Sequence, residues 1–211
     1  MADLKDLSVE EFAAVTASDS PAPGGGSVAA MAGAVAAALS EMVANLTIGK
    51  KGYEECEEEM QKIAKEASLL RAELIAGIQK DASSFNGYMD ALSLPKETEE
   101  EKAFRREKMQ EGLKAAAQVP LESAETAAKV FPYALAVVKS GNKNAVTDGL
   151  VSGMLARTAV LSALLNVKIN LGSIKDEAFV AEMSAKVDAL EKEALRCEAE
   201  ILKASDLTSS L

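Results

Sequence analysis

Apolar residues recur at steps of three and four along most of the chain, the period of one helix face. Tyr53, Cys56, Met60, Ile63, Ala67, Leu70, Leu74, Ile78, Phe85, Tyr88 and Leu92 follow this rule and predict one long helix over 53–92. Before it, Ser8-Val9-Glu10-Glu11 reads as a capping box that opens a short helix to about Ala17. The stretch from Ser18 to Gly26, with Pro21, Pro23 and three glycines, is expected to be loop. Ser27 would then cap an Ala-rich helix that ends near Ile48, punctuated by Gly49 and Gly52. That helix is apolar on every side, so it is expected in the middle of the molecule.

After the break at Leu94-Pro95-Lys96-Glu97, Thr98 and Glu101 form a second capping box. The helix they open reaches about Gln118. Pro120 either kinks it or starts a separate helix toward Lys139, with Gly141 as C-cap. Another apolar helix is expected from about Asn144 to Asn166, then a connector over 167–173 and a last amphipathic helix from about Asp176 to Ser205. The pattern predicts an all-α, up-and-down bundle of long helices around a buried Ala-rich helix. No repeat or long linker divides it, so residues 1–211 read as one domain.

Composition sharpens this picture. Hydrophobic residues make up 48% of the chain, enough for a real core, while aromatics are only 4% and Trp is absent, which favours close helix packing over a sheet. The net charge of −10 argues against a nucleic-acid partner, because no basic surplus exists to displace counterions. Cys56 and Cys197 lie in charged helical stretches, so a reducing compartment is expected rather than a disulfide. The N-terminus lacks a signal-peptide core, and the apolar run 28–48 carries Ser40, Glu41 and Asn45. A cytoplasmic protein with no membrane span is the resulting expectation. The chain has no histidine, which removes imidazole bases and His-ligated zinc; no metal site is expected.

Asp81 is the first candidate for chemistry, because it interrupts the stripe between Ile78 and Phe85. A carboxylate there must be paired, hydrogen-bonded or shifted in pKa, and a raised pKa suits a general acid–base. A structural ion pair would explain the same position. Gly24, Gly25, Gly26 and Ser27 open a helix with bare amides that can meet an anion or a heterocycle edge; a flexible turn with an N-cap is the plainer account. Lys50 and Lys51 follow the buried helix and could take an anionic tail, or simply complement its C-terminus. Asn142, Asn144 and Asp148 cluster polar groups at a helix start, where capping accounts for part of the pattern. Asn166 and Asn170 form a weaker group.

Taken together, Pro23-Gly24-Gly25-Gly26-Ser27, the run from Met42 through Asn45 to Lys50 and Lys51, Leu94-Pro95-Lys96, Gly141-Asn142-x-Asn144 and Leu165-Asn166-Val167-x-Ile169-Asn170 resemble the formiminotransferase-cyclodeaminase C-terminal family. The resemblance spans nearly the whole chain. It departs at Gly52, where a further basic residue is common, and at Thr147, where Ser is expected. It implies a helical homodimer with a folate site between helices or at the subunit interface. It also implies that Asp81, in Asp81-Ala82-Ser83-Ser84-Phe85, is the proton acceptor, the residue already marked by periodicity.

The resemblance further implies a tetrahydrofolate derivative as substrate and no tightly bound cofactor. The 211 residues hold only the cyclodeaminase-like part, which favours hydrolysis of 5,10-methenyltetrahydrofolate to 10-formyltetrahydrofolate over release of ammonia from formiminotetrahydrofolate. A non-catalytic helical dimer that binds folate or another anion is the third reading. The resemblance also admits transient contact with another folate enzyme. The enzyme readings expect the glycine stretch, Asp81 and the segment 142–148 to converge on one pocket, with Lys50 and Lys51 on the glutamate tail.

Overall fold

The computed structural model describes residues 3–209, and the elements among them are helical. The α-helices are α1 (Val9–Thr16), α2 (Gly25–Asn45), α3 (Glu57–Leu92), α4 (Glu99–Ala128), α5 (Phe131–Ser140), α6 (Val146–Leu171) and α7 (Glu177–Lys203). Both anticipated capping boxes form, Ser8 with Glu11 and Thr98 with Glu101. Short 3₁₀ turns precede α3 and α6.

Several boundaries differ from the sequence reading. α4 runs without interruption through Pro120 to Ala128, and the break falls at Lys129-Val130 instead. Pro132 then sits in the first turn of α5, where its missing N–H costs nothing. α6 continues to Leu171, so Val167 to Leu171 are helical and the connector is only the short turn after them. Val167 and Leu171 are buried and extend the apolar face of α6, and that burial carries the helix onward.

Consecutive long helices run antiparallel. Residue pairs 27/81, 33/74 and 41/71 join α2 to α3, pairs 92/105, 88/112, 80/122 and 73/126 join α3 to α4, and pairs 25/166 and 40/152 join α2 to α6. Small residues set these separations: a Cβ at Gly33 would stand 3.2 Å from Leu74, and Ala29, Ala30, Ala36 and Ala37 are buried along the same helix. Polar groups inside the seam satisfy one another, as Ser40 and Ser152 do at 2.8 Å, with Ser152 also donating to the Ala36 carbonyl.

α2 is not covered on every side as its composition suggested. Its inner face is buried, but Met31, Val35, Met42 and Leu46 point outward with 36–49% exposure. Beside them α6 exposes Val151, Leu165 and Ile169. α2 and the segment Lys143–Leu171 are long and apolar enough to cross a membrane by length and composition, yet each packs one face into the bundle core.

Candidate active site

The site is built where the N-terminus of α2 meets the middle of α3. α2 starts at Gly25 with Gly24 as its N-cap, so Gly25, Gly26 and Ser27 form the first helical turn. This corrects the expectation of a loop through Gly26 capped by Ser27. The Ser27 side chain is turned inward instead: its hydroxyl donates to Asp81 Oδ2 at 2.9 Å and shares its proton with the Ile78 carbonyl at 3.1 Å. The Ser27 backbone N–H, one of the orphan donors of a first turn, lies on the same side and helps to lower the Asp81 pKa. Asp81 thus sits against the first turn of α2 from a different helix, where the positive end of the helix dipole favours an anion.

The glycines are required by this contact. A Cβ on Gly26 would lie 2.1 Å from Asp81 Oδ1, and one on Gly25 would lie 3.1 Å from Asn166 Nδ2. Ala82, not Asp81, continues the buried stripe of Leu74 and Ile78, which leaves Asp81 half-buried at the margin of the core. Burial pushes its carboxyl above the usual aspartate range, and the hydrogen bonds from Ser27 offset that rise only in part. No cation pairs with it among the described residues.

Asp81 opens into a cavity of about 210 Å³ lined by Pro21, Gly24, Gly25, Gly26, Phe85, Ala116, Asn166 and Asn170. Asn166 donates to the Ser162 carbonyl at 2.9 Å, and Asn170 donates to the Ala116 and Asn166 carbonyls at 2.8 and 2.9 Å. These bonds fix both amides, whose side-chain oxygens accept no hydrogen bond among the described residues. A half-buried carboxyl of raised pKa, bare helical amides and two fixed amides can bind a polar heterocycle and move a proton at an atom beside it.

The other expected site residues lie elsewhere in the subunit. Asn45 is exposed at the last position of α2, and Lys50, Lys51, Asn142, Asn144 and Asp148 gather beyond it. At 1.5 Å per residue α2 spans roughly 30 Å, so this group is far from Asp81. Convergence on one pocket within one chain is therefore corrected. Asn142 works here as a buried clip: its N–H donates to Thr47 Oγ1 at 2.8 Å and its side chain to the Leu46 carbonyl at 3.1 Å. Its Oδ1 accepts from Lys50 Nζ at 2.9 Å and from the Asn144 N–H at 3.1 Å. Lys51 is exposed, and Asp148 stands in the first turn of α6. Among the described residues no group of three His, Cys, Asp or Glu side chains could hold a metal ion.

Sequence reasoning missed the contribution of α4, whose Ala116 closes the cavity and anchors Asn170. It also read Ser27 as a cap. Only its spacing after three glycines hinted that a helix could begin earlier.

A lone half-buried carboxyl seated against a helix N-terminus, in a helical bundle, is the titratable group that this cavity presents. The chain belongs to the formiminotransferase-cyclodeaminase family, whose sequence model matches residues 8–189. It is 41% identical over 186 residues to a methenyltetrahydrofolate cyclohydrolase of Methylorubrum extorquens, covering 88% of this chain and 89% of that one. It is 37% identical over 183 residues to the formimidoyltransferase-cyclodeaminase of Sus scrofa, covering 87% of this chain but 34% of the larger protein. The crystal structure of formiminotetrahydrofolate cyclodeaminase from Thermotoga maritima superposes with a TM-score of 0.85 at 33% identity, covering 95% of this chain and 96% of that one.

Proposed function

We propose that the protein is a cytoplasmic methenyltetrahydrofolate cyclohydrolase in which Asp81 carries the proton. The observation that carries this reading is the apposition of Asp81 to Gly26 and Ser27, which leaves a carboxyl of raised pKa facing a small polar cavity. The likeness to the Methylorubrum extorquens cyclohydrolase, over nearly the full length of both chains, supports the choice of reaction. Water attacks the methenyl carbon of 5,10-methenyltetrahydrofolate and passes one proton to Asp81. The resulting tetrahedral carbon bears a hydroxyl between nitrogens 5 and 10. Its bond to nitrogen 5 breaks, nitrogen 5 takes the proton back from Asp81, and the hydroxyl proton leaves to solvent as the formyl carbonyl forms. The sequence of steps needs no further cofactor. The bare amides at Gly25 and Gly26 and the amides of Asn166 and Asn170 suit the pterin edge.

The lysines enter this reading through a homodimer. The outward stripe Met31, Val35, Met42 and Leu46, continued by Leu165 and Ile169, is an apolar face with helical spacing, and burial of such a face drives association. A two-fold pairing that sets α2 antiparallel to its copy brings Lys50 of the partner subunit and Lys51 of the partner subunit toward the Asp81 cavity. There they would receive glutamate carboxylates on an otherwise acidic protein.

The second reading, formiminotetrahydrofolate cyclodeaminase, is favoured by the full-length likeness to the Thermotoga maritima structure. In it nitrogen 10 attacks the formimino carbon, Asp81 takes the nitrogen 10 proton and returns it to the departing amine, and ammonia leaves. The deciding experiment follows the methenyl chromophore in a non-nucleophilic buffer, with wild type beside Asp81→Asn. Its decay with wild type alone supports the cyclohydrolase; its appearance from formiminotetrahydrofolate supports the deaminase. Neither change would leave a folate-binding dimer without catalysis.

A further inference from the structure

A cleft of about 480 Å³, more than twice the volume of the Asp81 cavity, lies beside it, between the C-terminal end of α3 and the N-terminal half of α4. The two share Ser84, and Ala115 of the cleft adjoins Ala116 of the Asp81 cavity. The Asp81 cavity alone, at about 210 Å³, is below the roughly 300 to 1,000 Å³ typical of small-molecule sites, so a folate must extend out of it. We propose that the α3–α4 cleft seats the p-aminobenzoyl ring of the folate, while the pterin and the one-carbon bridge stay at Asp81. This rests on the folate reading above.

Gly87 is the first support. It lies inside the 36-residue helix α3, where glycine is unfavourable relative to alanine. Nothing stands within 4 Å of the place its Cβ would occupy, so packing does not demand the glycine. Gly112 across the cleft differs, since a Cβ there would meet Tyr88 Cα at 2.9 Å. Gly87 therefore clears space for something outside the chain, and it lines the cleft. It is six residues past Asp81, roughly 9 Å along the helix axis, a short step beyond the bond that joins the one-carbon bridge to the ring.

The chemistry of the lining names the occupant. Phe104 stands at the mouth with 52% exposure, and Leu94, Ala91 and Ala115 supply apolar walls, a surface for an aromatic ring. The rim is unsuited to the glutamate tail. Lys108 is already paired with Glu111 at 2.6 Å, which leaves Asp90 as a net negative charge. A neutral ring fits here, and the dianionic tail must leave toward another cation.

The chain has no tryptophan, so Phe104→Trp places a single fluorescent reporter at the cleft. Titration with N-(4-aminobenzoyl)glutamate should shift its emission saturably, and adding Gly87→Leu should abolish the shift. In the otherwise native dimer, Gly87→Leu should raise KM for 5,10-methenyltetrahydrofolate by about tenfold or more with kcat within about threefold. Gly87→Ala, which favours the helix, should raise the melting temperature and raise KM more modestly. An emission that does not respond at millimolar fragment, a response that survives Gly87→Leu, or an unchanged KM in both Gly87 variants would overturn the assignment. The titration reads binding without turnover, so a wild type inactive on both folates sinks the proposed reaction and leaves the cleft separately tested.

Discussion

The two ends of α2 are both polar, both glycine-flanked and both suggestive in sequence, yet they are built to different purposes. At the C-terminal end, Thr47, Lys50, Asn142 and the backbone of Leu46 and Asn144 satisfy one another within a closed set of hydrogen bonds. At the N-terminal end, Asp81 and Ser27 meet two first-turn glycines and then face open space, with Asn166 and Asn170 held across it. The first arrangement anchors the turn after α2 to the α5–α6 junction. The second leaves acceptors and a titratable carboxyl for a guest. Polar density marks both ends equally, and only the second sets a carboxyl of raised pKa beside an open cavity.

The contrast is tested most severely by Asp81→Asn, which keeps the shape and removes the titrating group. It should lower kcat about 100- to 10,000-fold with KM little changed, read from the methenyl chromophore. Gly26→Ala should come next, since its methyl cannot coexist with Asp81 Oδ1. We expect a loss of about 1–3 kcal/mol in urea unfolding together with a severe loss of turnover. At the other end, Asn142→Ala breaks a closed hydrogen-bond set and should cost about 1–3 kcal/mol of stability, measured in the same way.

Ser27→Ala is subtler, because it removes the hydroxyl but keeps the backbone N–H donor. Losing a hydrogen bond that lowers the Asp81 pKa should move the acid limb of the kcat/KM profile to higher pH. A limb that stays in place would mean that another group sets it. The smallest effect expected is on stability against pH. Asp81 has a folded pKa raised above its unfolded value, so the native state holds its proton more tightly. Its destabilising contribution is absent below the ordinary aspartate value and grows as pH rises through the raised one. Asp81→Asn should therefore melt higher than wild type at pH 8, with the gap closing as pH falls toward 4.

Much of this architecture was legible in the chain. Periodicity gave the long helix α3 to within a few residues, and both capping boxes formed where Ser8-x-x-Glu11 and Thr98-x-x-Glu101 stood, because such signals act within one turn. Asp81 was marked because its spacing from Ile78 and Phe85 set a carboxylate against the apolar stripe, where it is costly unless compensated, although the stripe itself passes through Ala82. Pro120 was not resolved by sequence, since a proline's effect on a helix depends on the packing around it. Leu121 and Ala124 beyond it are fully buried, and the helix continues to cover them.

By itself, then, the sequence determined the helical class, the breakpoints marked by local chemistry, the missing imidazole and the one carboxyl worth suspecting. Local rules suffice for these because each depends on neighbours within a turn or two. The tertiary structure alone decided that Gly26 and Ser27 belong to a helix whose first turn meets Asp81, 54 residues after Ser27. It also decided that Lys50 and Asn142 lie a helix length away, and that a cleft between α3 and α4 adjoins the Asp81 cavity. Those facts depend on which faces meet when antiparallel helices pack, and small side chains such as Gly33 and Ala37 permit close approach without specifying its register.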